Sequence, residues 1–309
     1  MPAVLFRSEY HDPLVWEPAL RRHIPDLDFR IWPEVRNAED IDILLTWSPP
    51  EGWQTAFPRL QLVHALAAGV DHLLGQSFPD NVLLARVTES NQIAGLCEYV
   101  LGGVLHFHRE MHIYRRDQSL RRWDARPPVP TSNRTVGVMG LGNFGGACAR
   151  KLASFGFRTR GWNRTPRQLD SVEVFSGQGA LEAFAEGCEI VICMLPLTDE
   201  TRGILSRDFF AQLPKGACLI NVGRGAHCIE ADLVAALAGG QLGGALIDVM
   251  DVEPLPEAHP YWTTPGLILT PHIGTRVNTE AATTLVANNI MRLRAGQPIE
   301  GIVDRRRGY

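Results

Sequence analysis

Three polar side chains stand at the ends of apolar runs in the second half of the chain. Arg224 closes Leu219-Ile220-Asn221-Val222-Gly223-Arg224, Glu253 follows Ile247-Asp248-Val249-Met250-Asp251-Val252, and His272 follows Leu269-Thr270-Pro271. Brought together, such a set can handle an anionic carbonyl compound. The guanidinium pairs with a carboxylate or carbonyl through two parallel hydrogen bonds. The imidazolium gives its proton to the carbonyl oxygen as the carbon is reduced, and the carboxylate orients the ring and favours its charged form. Each residue has a bland alternative: a capping arginine, a solvent-facing glutamate, a buried core histidine. For an isolated histidine the bland reading is the better one. Three such residues at successive strand ends favour catalysis.

A second constellation supplies a partner for that chemistry. Gly140-Leu141-Gly142-Asn143-Phe144-Gly145 follows an apolar run and opens a helical pattern. In such a turn the first glycine permits the tight bend and the second lets backbone approach a pyrophosphate. The third lets helix and strand pack closely, and the helix N-terminus offers free N–H groups to the anion. A bare GxGxxG is weak in a chain with 29 glycines, but its place between strand and helix marks a dinucleotide site. At the next strand end, where an NAD site usually carries a carboxylate, the chain reads Gly161-Trp162-Asn163-Arg164-Thr165. Arg164 is placed to meet a 2′-phosphate, with Thr165 as a hydroxyl donor; the alternative is a solvated loop arginine. The loop therefore predicts NADP(H) as the preferred cofactor, with NAD(H) possible.

These residues need a frame, and the apolar runs supply one. Strands are predicted at 3–7, 29–32, 41–47, 60–66 and 82–87, then in a second series at 136–139, 157–162, 190–195, 218–222, 245–249 and 267–270. Helical patterns alternate with them at 13–22, 144–155, 230–238 and 278–295, which is the signature of parallel α/β architecture. Between the series runs a mostly helical stretch, 91–122, followed by Arg126-Pro127-Pro128-Val129-Pro130, where proline suits a domain border. The expected fold is α/β, with two Rossmann-like domains, each a parallel sheet flanked by helices, and a cleft between them. The substrate-binding, flavodoxin-like domain is expected at 1–100 plus 276–309, and the dinucleotide-binding domain at 101–275. In a parallel sheet all carboxyl ends share one edge. Arg224, Glu253 and His272 would then converge near the glycine turn.

Composition excludes other classes. With 309 residues, 45% of them hydrophobic, the chain can build more than one core. The 30 basic and 34 acidic residues leave a net charge of −4, so no global field favours nucleic acid or an anionic membrane. Only Lys151 and Lys215 are lysines, and neither sits in a catalytic motif, which sets Schiff-base chemistry aside. The six cysteines form no CxxC pair. With no secretory leader pattern and no membrane-length apolar run, the reading is a soluble cytoplasmic protein. His106-Phe107-His108-Arg109-Glu110-Met111-His112 is not HExxH and has no third ligand set, so no metal is expected. The paired arginines at 115–116 and 121–122 lie beside Asp117 and Asp124 and read as a solvated helix.

Taken in order, these motifs resemble the D-isomer-specific 2-hydroxyacid dehydrogenases along nearly the whole chain. The resemblance also takes in His64-Ala65-Leu66-Ala67-Ala68-Gly69-Val70-Asp71, Asn221-Val222-Gly223-Arg224-Gly225, Glu253-Pro254-Leu255-Pro256, Thr270-Pro271-His272 and the tail Val303-Asp304-Arg305-Arg306-Arg307-Gly308-Tyr309. It implies a reductase of small 2-keto acids, glyoxylate to glycolate and hydroxypyruvate to D-glycerate. Arg224 would bind substrate, Glu253 would support the histidine, and His272 would be the acid/base. Backbone N–H groups at Ala68 and Gly69 would hold the substrate carboxylate, and Trp47 would line the pocket unless it is a core tryptophan. Leu195, Pro196, Val222 and Asp248 would flank the cofactor, and the assembly would be a homodimer. Two stretches depart from the family pattern: Met250-Asp251-Val252, and Ile273-Gly274-Thr275-Arg276 where two small apolar residues are expected. A dinucleotide-sensing corepressor, a reductase of bulkier 2-keto acids, and a dehydrogenase of formate or phosphite stand as alternatives.

Overall fold

The computed structural model describes residues 3–88, 90–275 and 278–305. Arg276 of the second departure and residues 306–309 of the tail lie outside them. The chain divides into two compact units, Met1–Gln92 with Val277–Tyr309 and Ile93–Arg276. In the first unit β1 (Ala3–Arg7), α1 (Pro13–His23), β2 (Asp28–Ile31), β3 (Ile41–Thr46), α2 (Trp53–Ala56), β4 (Leu62–Ala65), α3 (Asp71–Leu74) and β5 (Leu83–Arg86) follow one another. The chain continues through α4 (Ser90–His108), α5 (Met111–Ser119), β6 (Thr135–Met139), α6 (Asn143–Ser154), β7 (Arg158–Asn163), β8 (Glu173–Ser176) and α7 (Leu181–Ala185). The second unit is completed by β9 (Ile190–Cys193), α8 (Arg207–Gln212), β10 (Ala217–Asn221), α9 (Glu230–Ala238), β11 (Leu242–Ile247) and β12 (Leu267–Leu269), and α10 (Thr279–Arg294) belongs to the first.

In the first unit the strands pair in parallel in the order β2-β1-β3-β4-β5, the flavodoxin-like order. Ile43, Leu44 and Leu45 of β3 are wholly buried, as a central strand covered on both faces must be. On one face Trp16 and Leu20 of α1 meet Ala282, Val286 and Ile290 of α10 across Phe6 and Ile43. Past α10, Val303 donates to the Leu84 carbonyl at 2.9 Å and Gly301 accepts from Arg86 at 3.0 Å, so the tail covers the exposed edge of β5.

The second unit holds seven parallel strands in the order β12-β11-β10-β9-β6-β7-β8. The direction of winding reverses between β6 and β9, and the crevice outside such a switch point is where an open α/β sheet takes its ligand. α4 and α6 cover one face through Val100, Val104, Ala149 and Leu152; Phe184, Phe209, Phe210 and Leu233 cover the other. Strand β8 is absent from the sequence reading: Glu173–Ser176 is a short, partly exposed edge strand with no apolar run. Among the described residues no helix is long and apolar enough to cross a membrane.

One buried polar contact ties α10 into the first unit. His64 on β4 is fully buried; its Nδ1–H donates to the Ala65 carbonyl at 3.0 Å, and Nε2 accepts from Asn289 Nδ2 at 3.1 Å. Burial pushes the imidazole down to about 4, whereas an unfolded histidine titrates near 6.5. Below about pH 6.5 the unfolded chain therefore binds the extra proton, and stability falls as pH drops toward 4. The linkage amounts to about 3 kcal/mol over that interval. Thermal unfolding should show the wild type losing stability steeply between pH 6.5 and 4.5, with a shallower slope for His64→Gln; equal slopes would contradict this origin.

Candidate active site

The glycine turn sits at the switch point. Gly140 leaves β6 with φ +94°, and a Cβ there would meet the Met194 carbonyl at 2.8 Å. A Cβ on Gly145 would run into the Gly140 carbonyl, so the helix can approach the strand only as glycine. At Gly142 a Cβ would meet nothing within 4 Å, and the residue caps α6 with no side-chain bond to the first turn. Open space over an uncapped helix N-terminus is what a pyrophosphate requires. The turn is braced from β7: Asn163 Oδ1 accepts from Leu141 N at 3.3 Å, and Arg167 Nη1 donates to the Leu141 carbonyl. Asn143 and Phe144 open α6 itself.

Arg164 is exposed beside this turn, its Nη1 3.7 Å from Glu200 Oε2. Asn163 Nδ2 donates to the Thr165 carbonyl at 3.0 Å and to its hydroxyl at 3.3 Å, which ties the loop below Arg164. Arg167 and Glu200 escaped the sequence reading. Arg167 was legible as a second arginine three residues on. Glu200 arrives from the far side of β9, and only the fold places it here. Leu195 and Pro196 follow β9 on the same sheet edge, and the N–H of Val222 donates to the Cys193 carbonyl at 3.1 Å.

The loop after β10 is a buried polar scaffold for Arg224. Asn221, wholly buried, accepts from Gly223 N at 3.1 Å and donates to the Arg224 carbonyl at 3.0 Å. His227, also wholly buried, accepts at Nδ1 from Arg224 N at 2.9 Å. Its Nε2–H is left to donate to the Pro196 carbonyl at 3.2 Å, joining this loop to the one after β9. The sequence reading missed His227, although its place three residues after Arg224 fits a cap on the short turn there. Arg224 Nη1 donates to the Gly223 carbonyl at 2.7 Å.

His272 Nδ1 lies 2.8 Å from Glu253 Oε2, and the other oxygen, Oε1, accepts from Met250 N at 2.9 Å. Burial raises the Glu253 carboxyl, but the bond to His272, the Met250 N–H and the charges of His272 and Arg224 together hold it below the usual range. Glu253 is therefore held as the ionised partner of the His272 ring. His272 has φ +51°, a left-handed conformation rare for a residue with a Cβ. Asp248 holds it there. Its backbone carbonyl accepts from His272 N at 2.9 Å. Its carboxylate accepts from Thr270 Oγ1 at 2.6 Å, Ile273 N at 2.8 Å and Gly274 N at 2.7 Å. Tyr99 of α4 donates to Thr270 Oγ1 at 2.5 Å, and burial pushes its phenol up to about 12. The structure thus brings Arg224, Glu253 and His272 to one sheet edge with the glycine turn, and gives Asp248 a bracing position.

The remaining predicted residues belong to the first unit. Trp47 follows β3 and stacks on His72 at 4.5 Å between ring centroids, while Tyr10 meets it edge-on at 5.1 Å. His72 Nε2–H donates to the Trp47 carbonyl at 2.7 Å. Ala68 and Gly69 follow β4, and Arg86 Nη1 donates to the Ala68 carbonyl at 3.3 Å. Among the described residues the N–H groups of Ala68 and Gly69 have no partner.

Comparison with known proteins identifies the family. Residues 101–274 match the family model for D-isomer specific 2-hydroxyacid dehydrogenase, NAD binding domain. The glyoxylate/hydroxypyruvate reductases A of Yersinia enterocolitica and Serratia proteamaculans are 37% and 38% identical over 312 residues, covering 99% of each chain. A D-isomer specific 2-hydroxyacid dehydrogenase from Xanthobacter autotrophicus Py2, solved with NADPH and MES, is 40% identical with a TM-score of 0.94, covering 100% of this chain and 99% of that one. An NADPH-dependent glyoxylate/hydroxypyruvate reductase from Sinorhizobium meliloti, solved with NADP and sulfate, is 31% identical with a TM-score of 0.92, covering 100% of both. On its motifs, its fold and these relatives, the chain belongs to the D-isomer specific 2-hydroxyacid dehydrogenase family and is an NAD(P)-dependent oxidoreductase.

Proposed function

We propose that this protein is an NADPH-preferring reductase of small 2-keto acids, converting glyoxylate to glycolate and hydroxypyruvate to D-glycerate. The observation that carries the reading is the His272–Glu253 pair, 2.8 Å apart at the sheet edge that also carries Arg224 and the glycine turn. The names of the relatives support the substrate class, and two structural neighbours solved with NADPH or NADP support the cofactor. When bound, the reduced nicotinamide supplies hydride to the keto carbon.

In this reading Arg224 binds the keto acid's carboxylate and carbonyl, and the N–H groups of Ala68 and Gly69 take the rest of the carboxylate's charge. Glu253 holds Nδ1–H of His272, which turns Nε2–H toward the carbonyl oxygen to give it a proton. Trp47 bounds the space beside the keto acid's substituent. Arg164, with Thr165 and Arg167 nearby, holds the 2′-phosphate, and the Glu200 carboxylate opposes it.

Initial rates of NADPH and NADH oxidation with glyoxylate, hydroxypyruvate, pyruvate and phenylpyruvate test the reading. Fast turnover of the first two with NADPH is expected; tight cofactor binding without turnover would point to a sensor. His272→Ala should lower kcat by roughly 10²–10⁴-fold, and near-normal kcat over pH 6–8 would remove it from proton transfer. Reduction needs a proton donor held toward the carbonyl oxygen, so Glu253→Gln, which removes the carboxylate bonded to the His272 ring, should lower kcat in the same assay. Arg224→Ala should raise KM and lower kcat together, cutting kcat/KM by roughly 10²-fold or more. By calorimetric titration Arg164→Ala should weaken NADP⁺ about tenfold with little effect on NAD⁺, and Glu200→Gln should tighten NADP⁺ by about two- to fivefold. Parallel changes for both cofactors would refute the 2′-phosphate assignment.

A further inference from the structure

The helical face formed by α4 and α6 carries a pair of cysteines that the reaction does not use. Cys97 and Cys148 bring their Sγ atoms to 3.2 Å, among Leu96, Val100, Ala149 and Leu152. A disulfide needs about 2.05 Å, so a small approach of the two side chains closes the remaining gap. Cys148 is buried and Cys97 is partly exposed, which gives one sulfur access to solvent and keeps the other behind it.

The two thiols are chemically unequal. The hydrogen bond with Cys148 holds Cys97 below the usual thiol range against the effect of burial, and the charges of Lys151 and Arg150 add to it while Glu98 opposes. The same contact and burial push Cys148 up, and across the 3.2 Å gap either sulfur can be the donor. Cys188, Cys193, Cys218 and Cys228 are buried and pushed up to about 12 by burial. A thiolate is the reactive form of cysteine, and of the six cysteines Cys97 is the one that is not buried.

We propose that Cys97 and Cys148 form a reversible intramolecular disulfide when the protein meets hydrogen peroxide, Cys97 attacking first and Cys148 resolving. The Cys97 thiolate attacks one peroxide oxygen and the O–O bond breaks. This gives a sulfenic acid and hydroxide, which takes up the proton Cys97 had released and becomes water. The Cys148 sulfur then attacks Cys97 Sγ; the S–O bond breaks and the oxygen leaves as water with the Cys148 proton. Two thiols lose two electrons in all, and one peroxide becomes two waters. The bond would fasten the helix that opens the phosphate-binding turn to the helix whose Tyr99 braces Thr270.

The test is a non-reducing peptide map of the native protein after a short peroxide pulse and alkylation. The expected product is a single linked pair joining the Cys97 and Cys148 peptides, lighter than their sum by about 2 Da. Four of the six thiols stay alkylatable, and dithiothreitol restores all six. Cys148→Ala should leave Cys97 as a sulfenic acid that dimedone traps, and Cys97→Ser should keep its five thiols reduced at the same dose. The proposal is overturned if wild type keeps six thiols, if Cys97 passes to sulfinic acid without linking, or if Cys97→Ser oxidises as readily. Should either variant fail to fold, the wild-type map alone decides.

Discussion

A residue with a Cβ held in the left-handed region costs roughly 1–2 kcal/mol relative to ordinary backbone, and His272 is held there. The Asp248 carboxylate meets that cost. It is buried, and its two oxygens accept three hydrogen bonds from Thr270, Ile273 and Gly274, while its backbone carbonyl takes the His272 N–H. Bonds to a charged acceptor contribute roughly 1.5–3 kcal/mol each, so three of them outweigh one strained residue. With the backbone pinned, the imidazole can be aimed by a single further contact, the one to Glu253. The site's geometry depends first on a carboxylate that is placed to hold the loop and only second on the pair that would do chemistry.

The parallel sheet supplies the other half of the arrangement. Because β6, β9, β10, β11 and β12 all end on one edge, the loops following them share a short perimeter. Polar residues buried beneath that perimeter join one loop to the next: Asp248 N donates to the Asn221 carbonyl at 3.0 Å, Asn221 holds the Arg224 carbonyl, and His227 reaches Pro196. Every member of this chain is paired, the condition under which a buried network rigidifies a site. A change at His227 would therefore act on Arg224 and on the β9 loop together.

The sequence made the fold readable because buried parallel strands are near-continuous apolar runs, as in Ile190–Cys193 and Ala217–Asn221. Edge strand β8 lacked that signature and went unseen. The glycine turn and the arginine after β7 were legible because their chemistry is local, fixed by neighbours within a few residues. Glu200, the reach of His227 to Pro196 and the bracing by Asp248 were not, because each works through a partner that is distant in sequence or lies on another strand's loop. Periodicity locates elements; it does not pair side chains across loops.

The departure after His272 follows from the same constraint. The chain reads Gly274 in a place where a Cβ would lie 2.8 Å from Asp248 Oδ2 and 3.3 Å from Leu96. A carboxylate that accepts the Gly274 N–H at 2.7 Å leaves no room for a side chain beside it. Glycine here is the consequence of the loop being anchored by its backbone to Asp248, so this part of the departure belongs to the scaffold under His272. The Glu253–His272 pair is 36% and 41% exposed, and a polar pair so open to solvent adds little to stability. Its geometry is held by backbone groups on both sides, the Met250 N–H on the carboxylate and the Asp248 carbonyl on the His272 N–H. The pair is therefore a positioned couple whose worth lies in where it points.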